Sequence, residues 1–379
     1  MLDVIKVQRP EEWQAFFQVP RLIYRHDPLW TPLPEESQRQ MFDPQLNPLL
    51  RHVHLELFVA LADDQPVGRI AAITDDLLPD KHIGFFGCFE AVDDPEVAGA
   101  LLKAAAGSLA GRGKRVMQGP VTLNTTQQVG LLVEGFDMPP QVMMPYNPSY
   151  YVKLIEEAGF TKVLDLYAYL WRPEFTGQRA RLTAVARRAA RIPGIRVRPI
   201  NLNDPVGEGK RLSAIHNLAM TAQWGFVPMD VAEAAYNLAG LRSFADPDLL
   251  TFCEVKGEPV GVCLIMPDTG PWLRAARRSG GARWLPFFIR PKSVRVGVLA
   301  VVPEYRRRGV VALLIDKAMT TLIRKGYRQA ELSLIMDRND QMNSIITSAT
   351  GGKVHKVFRI YEHTTVTGRS RHRPRWKNM

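Results

Sequence analysis

Short apolar, β-branched runs and helical periodicities alternate along this chain, and the alternation occurs twice. The segment FVALADDQPVGRI at 58–70 reads as strand, turn, strand, and TFCEVKGEPVGVCLI at 251–265 reads the same way. In the first half GFFGCFEAV at 84–92 predicts a strand. Asp93, Asp94, Pro95 and Glu96 follow as a helix start, with proline and acids in the first turn. That helix should run to about Ala110 and end at Gly111 and Gly113, before a strand entered through 114–117. In the second half VRVGVLAVV at 294–302 predicts a buried strand stopped by Pro303. Val311, Leu314, Ala318 and Leu322 recur at helical spacing until Gly326, and 329–336 forms the next strand.

The two copies keep nearly constant offsets. Gly68 and Gly261 lie 193 positions apart, and Asn147 and Asn339 lie 192 apart. Each Asn precedes a glycine, Gly159 or Gly351, by twelve residues. Each copy therefore offers strand–strand–strand–helix–strand–helix–strand, which makes a mixed α/β sheet with helices on it. The expected organisation is a first domain over 1–170, a helical Arg/Ala-rich connector over 171–194, a second domain over 195–365 and a tail over 366–379 that reads as disordered. Each copy also carries an insertion, 119–146 in the first and 267–292 in the second. Insertions of that length are either functional or surface decoration.

Composition narrows the class. The chain has 379 residues, 46% hydrophobic and 23% charged, which is ordinary for a soluble two-domain protein. Its net charge of +11 is concentrated in three segments. Residues 172–198 carry eight Arg and one acid, 271–292 carry five Arg and one Lys with no acid, and 366–379 carry four Arg and one Lys with no acid. Such segments hold anions or are solvated helix faces. Tryptophans within them are limited to Trp272, Trp284 and Trp376, and nucleic acid is not the expected partner. The cysteines Cys88, Cys253 and Cys263 form no CxxC pair, and they read as small buried hydrophobes in a reducing compartment. His52 and His54 share a strand face, but no third metal ligand accompanies them, so no metal site is expected. No signal peptide or membrane-spanning run is apparent, and the expected location is cytoplasmic.

The densest chemistry lies at Val301, Val302, Pro303, Glu304, Tyr305, Arg306, Arg307, Arg308 and Gly309. A buried strand ends there, a turn follows, and a helix begins. Unpaired N–H groups at a helix start, with its dipole, make an anion site. Gly309 lets backbone approach a phosphate closely. Three arginines add positive charge suited to a diphosphate.

Here the sequence resembles the GNAT acyltransferase superfamily, whose pattern is an apolar strand, V-x-P-x-x-R/Q-x-x-G-x-G/A and a helix. Val301, Pro303, Arg306 and Gly309 match, and Val311 stands where the family prefers Gly or Ala. Asn339 and Gly351 also fit the family's placement. The resemblance implies two tandem GNAT-like mixed-sheet αβ domains, the first degenerate. It implies transfer of an acetyl or longer acyl group from acyl-CoA to an amine acceptor, a small molecule, by direct attack. Arg306, Arg307, Arg308, Gly309, Val310, Val311 and Ala312 would hold the pyrophosphate. Pantetheine would run between parted strands along Leu299, Ala300 and Val301, with an N–H near Val301 polarising the thioester, and Asn339 would contact acceptor or CoA. Glu331 on the neighbouring strand is the candidate base, or else an outward or salt-bridged residue. The family's tyrosine acid is replaced by Thr347; Tyr361 is the substitute, or else a packed core residue. The loop of Trp224 and Phe226 falls where acceptor loops fall in the family.

In the first copy the equivalent turn reads Asp93, Asp94, Pro95, Glu96, and its acids should repel a pyrophosphate. The copy is similar to bacterial double-GNAT proteins in carrying G-F-D-x-P-P (135–140) and Y-N-P-x-Y-Y (146–151) segments. Tyr146 and Asn147 line an acceptor site or pack a domain interface. Three functional readings stand: an acyltransferase, a non-catalytic acyl-CoA-binding protein on the same scaffold, and a polyanion or membrane-surface binder. A homo-oligomer is compatible with each.

Overall fold

The computed structural model describes residues 1–175, 177, 179–278 and 291–365. The basic segments at 279–290 and 366–379, with Trp284 and Trp376, lie outside the described residues. The first half runs β1 (Leu2–Lys6), α1 (Pro10–Ile23), α2 (Glu35–Met41), β2 (Val53–Ala62), β3 (Gln65–Asp75) and β4 (Ile83–Ala91). It continues through α3 (Pro95–Gly111), β5 (Val116–Gly119), β6 (Leu131–Glu134), α4 (Tyr150–Glu157) and β7 (Thr161–Trp171). The connector forms α5 (Arg179–Ala189). The second half repeats the plan as β8 (Ile195–Pro199), α6 (Pro205–Ala219), α7 (Val231–Leu241), β9 (Leu250–Val255), β10 (Glu258–Pro267), α8 (Gly270–Arg278) and β11 (Ser293–Val301). It closes with α9 (Val310–Arg324), β12 (Gln329–Met336), α10 (Asp340–Ser344) and β13 (Lys353–Thr364). Local chemistry sets several starts. Asp94 accepts the Glu96 N–H ahead of Pro95, and Asp204 and Asp230 cap α6 and α7 through the N–H groups of Gly207 and Glu233.

Among the described residues thirteen strands join one sheet in the order β1-β2-β3-β4-β5-β13-β7-β12-β11-β10-β9-β8, with β6 also on β13. The halves thus exchange their last strands. The second half's β13 lies antiparallel beside β5 of the first, pairing Tyr361 with Gly119. The first half's β7 lies beside β12 of the second, pairing Leu332 with Tyr169. The exchanged strands also pair with each other from Lys353↔Leu170 to Glu362↔Thr161. Leu166, Ala168 and Trp171 of β7, and Phe358 and Ile360 of β13, are buried in the resulting seam.

Side chains add to this join. Arg277 of α8 donates to the carbonyls of Tyr24, Arg25 and Asp27, and its guanidinium lies over the Trp30 ring. His52 stands between Asp75 Oδ1 at 2.8 Å and Glu233 Oε1 of α7 at 2.7 Å. His54 pairs separately with Asp76 at 2.8 Å. Burial opposes charge on His52, but hydrogen bonds to Glu233 and Asp75 outweigh it and its pKa is raised. Burial also raises the pKa of Glu233. Groups with raised folded-state values contribute stability below their unfolded values, near 4.3 and about 6.5, and lose it as pH rises through the folded ones. The melting temperature should therefore fall as pH rises from 5 to 8, and His52→Gln should flatten that slope in thermal melts.

Candidate active site

Strands β11 and β12 are parallel neighbours only from Ser293↔Gln329 to Val296↔Leu332. Beyond that point β11 stays with β10 as far as Val301, and β12 stays with β7, with Ile335 opposite Tyr167. The register of β10 steps from Leu264↔Val298 to Ile265↔Val296, so Gly297 is an extra, bulged residue where the strands part. Val296, Val298, Leu299, Leu332, Leu334 and Ile335 are only partly buried although they lie on central strands. They flank a gap whose edges carry backbone groups released from the β11–β12 ladder, with Val296, Val298, Leu299 and Leu332 packed on one core cluster and Leu334 on another.

At the upper end of the gap, one 3₁₀ stretch (Pro303–Arg308) leads to Gly309, which adopts φ +81°. No side chain caps α9, and its Leu313 N–H bonds back to the Gly309 carbonyl at 3.0 Å. The N–H groups of Val310, Val311 and Ala312 precede that bond, in the first turn of the helix. Helix α5 flanks the turn. A Cβ at Gly309 would lie 3.1 Å from Val185 Cγ1 and 3.2 Å from Ala189 Cβ. The three arginines have different roles. Arg306 donates to Val301 O at 3.1 Å and Ala219 O at 2.6 Å, tying the end of β11 to the end of α6. Arg307 and Arg308 are exposed and have no ion-pair partner among the described residues. Arg308 rests 5.0 Å above the Tyr305 ring. Asn339 caps α10, accepting the Met342 N–H at 3.2 Å.

At the crotch, where the strands separate, lies a buried polar cluster. Glu331 is 1% exposed. Its Oε1 accepts the Ser333 hydroxyl at 2.9 Å, and its Oε2 meets His355 Nε2 at 2.9 Å. Arg295 Nε donates to Ser333 Oγ at 3.0 Å. Burial works against the charge on Glu331, but the His355 hydrogen bond and the charges of His355, Lys356 and Arg295 prevail and hold its pKa below the usual value. Burial lowers Arg295 to about 10 and lowers Lys356 as well. Asp268, at the end of β10, is raised to about 6 by burial. The two cations also hold the first half's insertion across this face. Arg295 donates to Val142 O and Met143 O, and Lys356 donates to Met138 O and Pro139 O. Hydrogen bonds from charged groups contribute about 1.5–3 kcal/mol each.

The corresponding gap of the first half is filled by its own chain. Strands β4 and β5 pair only from Ile83↔Val116 to Phe85↔Gln118. The chain then crosses over β4, with the Val121 N–H on Phe86 O at 2.8 Å. A Cβ at Gly87 would fall 1.8 Å from Val121 O, so only glycine permits this crossing. The hydroxyls of Tyr150 and Tyr151 occupy the carbonyl and N–H of Ala91 at the strand's end.

Other residues singled out in the sequence are placed away from the β11–β12 gap. Tyr361 does not reach it: its ring is 1% exposed in the first half's core, and its hydroxyl donates to Glu156 at 2.9 Å. The strand exchange carries it there. Trp224 reaches into the first half, with its indole N–H on Gln118 Oε1 at 3.1 Å and its ring 5.7 Å from Phe85. Phe226 stacks on His216 at 5.5 Å. Tyr146 donates to Asp27, and Asn147 is a buried brace on both backbone groups of Leu132. Sequence reasoning missed Arg295, Ser333, His355 and Lys356. The signal for Arg295 was a charge inside an otherwise apolar strand.

A bulged central strand, a gap beside it and an uncapped helix start, on a duplicated mixed sheet, define a tandem acyltransferase scaffold. The acetyltransferase (GNAT) family pattern matches residues 210–344. Over 95% of its length the chain is 31% identical to 97% of a protein named bacterial ceramide synthase from Caulobacter vibrioides. It is also 31% identical to protein YghO of Escherichia coli, with 92% of each chain covered. A tandem GNAT protein from the clavulanic acid biosynthesis pathway superposes over 97% of this chain and 100% of its own, with TM-score 0.58 at 11% identity. The chain belongs to the GNAT family. Among the described residues no helix is long and apolar enough to cross a membrane.

Proposed function

We propose that this protein is an acyl-CoA-dependent N-acyltransferase that joins a long-chain acyl group to the amine of a lipid-like acceptor. The observation carrying this reading is the gap between β11 and β12, flanked by apolar side chains and with a bulge at its base. The N–H groups of Val310, Val311 and Ala312, with Arg307 and Arg308, would receive the pyrophosphate. Leu299, Ala300 and Val301 would wall the pantetheine arm. The bulge lies four residues before Val301, so the N–H that polarises the thioester carbonyl belongs in this reading to the Gly297–Val298 peptide. The amine attacks the carbonyl carbon, the C–N bond forms, and the C–S bond breaks. Its proton ends on Glu331, whose lowered pKa keeps it ionised near neutrality. The relative named for ceramide synthesis makes a sphingoid-type amine the first acceptor to try.

Purified protein given palmitoyl-CoA and a panel of amines including sphinganine should release thiol only when an amine is present, with the amide found by mass spectrometry. Thr347, where the resemblance expects an acid, favours the second reading, a protein that binds acyl-CoA without turnover. Acyl-CoA-dependent thermal stabilisation without thiol release from any pair would decide for that reading.

A further inference from the structure

The buried cluster at the crotch is larger than one base requires. Ser333 is the first β12 residue beyond the last β11–β12 pair, Val296↔Leu332, so it stands where the gap begins. Its hydroxyl lies 2.9 Å from Glu331 Oε1 and 3.3 Å from Met144 Sδ, and it receives Arg295 Nε at 3.0 Å. Behind it, the other oxygen of Glu331 meets His355 Nε2 at 2.9 Å. His355 comes from β13, one strand beyond β7, at a position skipped between Val354↔Tyr169 and Lys356↔Ala168. Its Nδ1 is buried without a hydrogen-bond partner among the described residues. Nε2 is the ring nitrogen that faces an acceptor, so the geometry sets His355 to donate from Nε2 to Glu331. His355 is then a fixed donor to Glu331, and the carboxylate's remaining oxygen is turned to Ser333.

We propose that Ser333 is the group that touches the attacking amine, that Glu331 takes the proton through it, and that His355 positions Glu331. The proposal rests on the transferase reading of the same gap. As the C–N bond forms and the C–S bond breaks, the amine nitrogen gives a proton to Ser333 Oγ while the Ser333 proton passes to Glu331 Oε1. CoA leaves as the thiolate, and the proton later leaves Glu331 for solvent. Arg295 keeps the serine oxygen oriented, since its Nε–H occupies one lone pair. The charged and titratable groups facing Glu331 are Arg295 from β11, His355 and Lys356 from β13, and Asp268 from the end of β10.

The test is a pH series of kcat and KM with palmitoyl-CoA and sphinganine for the full chain and three variants. Ser333→Ala should lower kcat about 100-fold with little change in KM for the acyl-CoA. Glu331→Gln should lower kcat at least as far. His355→Ala should move the acid limb of the kcat profile upward, because the carboxylate loses the donor that favours its ionised form, and His355→Gln, which restores an N–H, should move it back. A purely structural histidine would lower stability and activity without displacing that limb. Full kcat in Ser333→Ala, or an unmoved limb in His355→Ala, overturns the relay. Should wild-type protein turn over no acyl-CoA and amine pair, the transferase reading fails, and the imidazole tautomer still judges the positioning. ¹⁵N NMR of His355 should show a proton on Nε2, and a ring protonated on Nδ1 alone overturns it.

Discussion

Expressed separately, residues 1–192 and 193–379 should each fail to fold, and expressed together they should reassemble into one soluble particle. Cutting the chain in this way removes β13 from between β5 and β7, and removes β12 from the other side of β7. Strand β7 then has no partner in its own fragment. Leu164, Leu166, Ala168, Tyr169 and Trp171 are all buried at 5% exposure or less, and they would meet water. Each large apolar side chain contributes about 1.5–3 kcal/mol on burial. Four such losses, about 6–12 kcal/mol, are comparable with the roughly 5–15 kcal/mol that holds a typical domain folded. The freed edges are also templates for aggregation. Far-UV circular dichroism and size-exclusion chromatography would read both outcomes. A soluble 1–192 fragment with a cooperative melt would contradict the exchanged topology.

The duplication was legible because it needs only local information. Gly68 and Gly261 sit in matching hairpins, and their offset survives divergence since tight turns tolerate few residues. The turn into α9 was legible for the same reason: Pro303, three arginines and Gly309 mark a strand end, a turn and a helix start in order, and the structure makes that turn a 3₁₀ stretch ending in a left-handed glycine. The strand exchange was not legible. Thr161–Trp171 and Lys353–Thr364 have the same alternating character, and either suits the place beside β5 or beside β12. Sequence position suggests that each pairs within its own half, but register with distant residues decides otherwise. Of the two readings of Tyr361, the packed core residue is the one the structure shows, and the exchange puts it in the core of the first half. The individual roles of Arg306, Arg307 and Arg308 were equally hidden. Adjacent residues of one type look alike in sequence, and only the carbonyls of Val301 and Ala219 distinguish the first of them.

That distinction makes the second large effect testable by separating fold from affinity. Arg306→Ala should damage the fold. It leaves the carbonyls of two buried residues, Val301 and Ala219, without their donor, at about 1–3 kcal/mol for each carbonyl left unpaired. It also unties β11 from α6, so any loss of binding in this variant reports a disturbed strand end. The double variant Arg307→Glu/Arg308→Glu should do the opposite. Both side chains are exposed and neither has an ion-pair partner among the described residues, so the melting temperature should barely move. A pyrophosphate at the start of α9 would now face two carboxylates instead of two guanidiniums. At separations of several ångströms near a protein surface, two reversed charges should weaken acyl-CoA binding about 100-fold at low ionic strength. Added salt should narrow the difference, since these groups are open to solvent. Isothermal titration with CoA across a salt series, beside thermal melts of all three proteins, reads both quantities. If the double reversal leaves affinity untouched, the phosphates do not lie at this helix start, and the gap between β11 and β12 must be entered from the face held by 138–144.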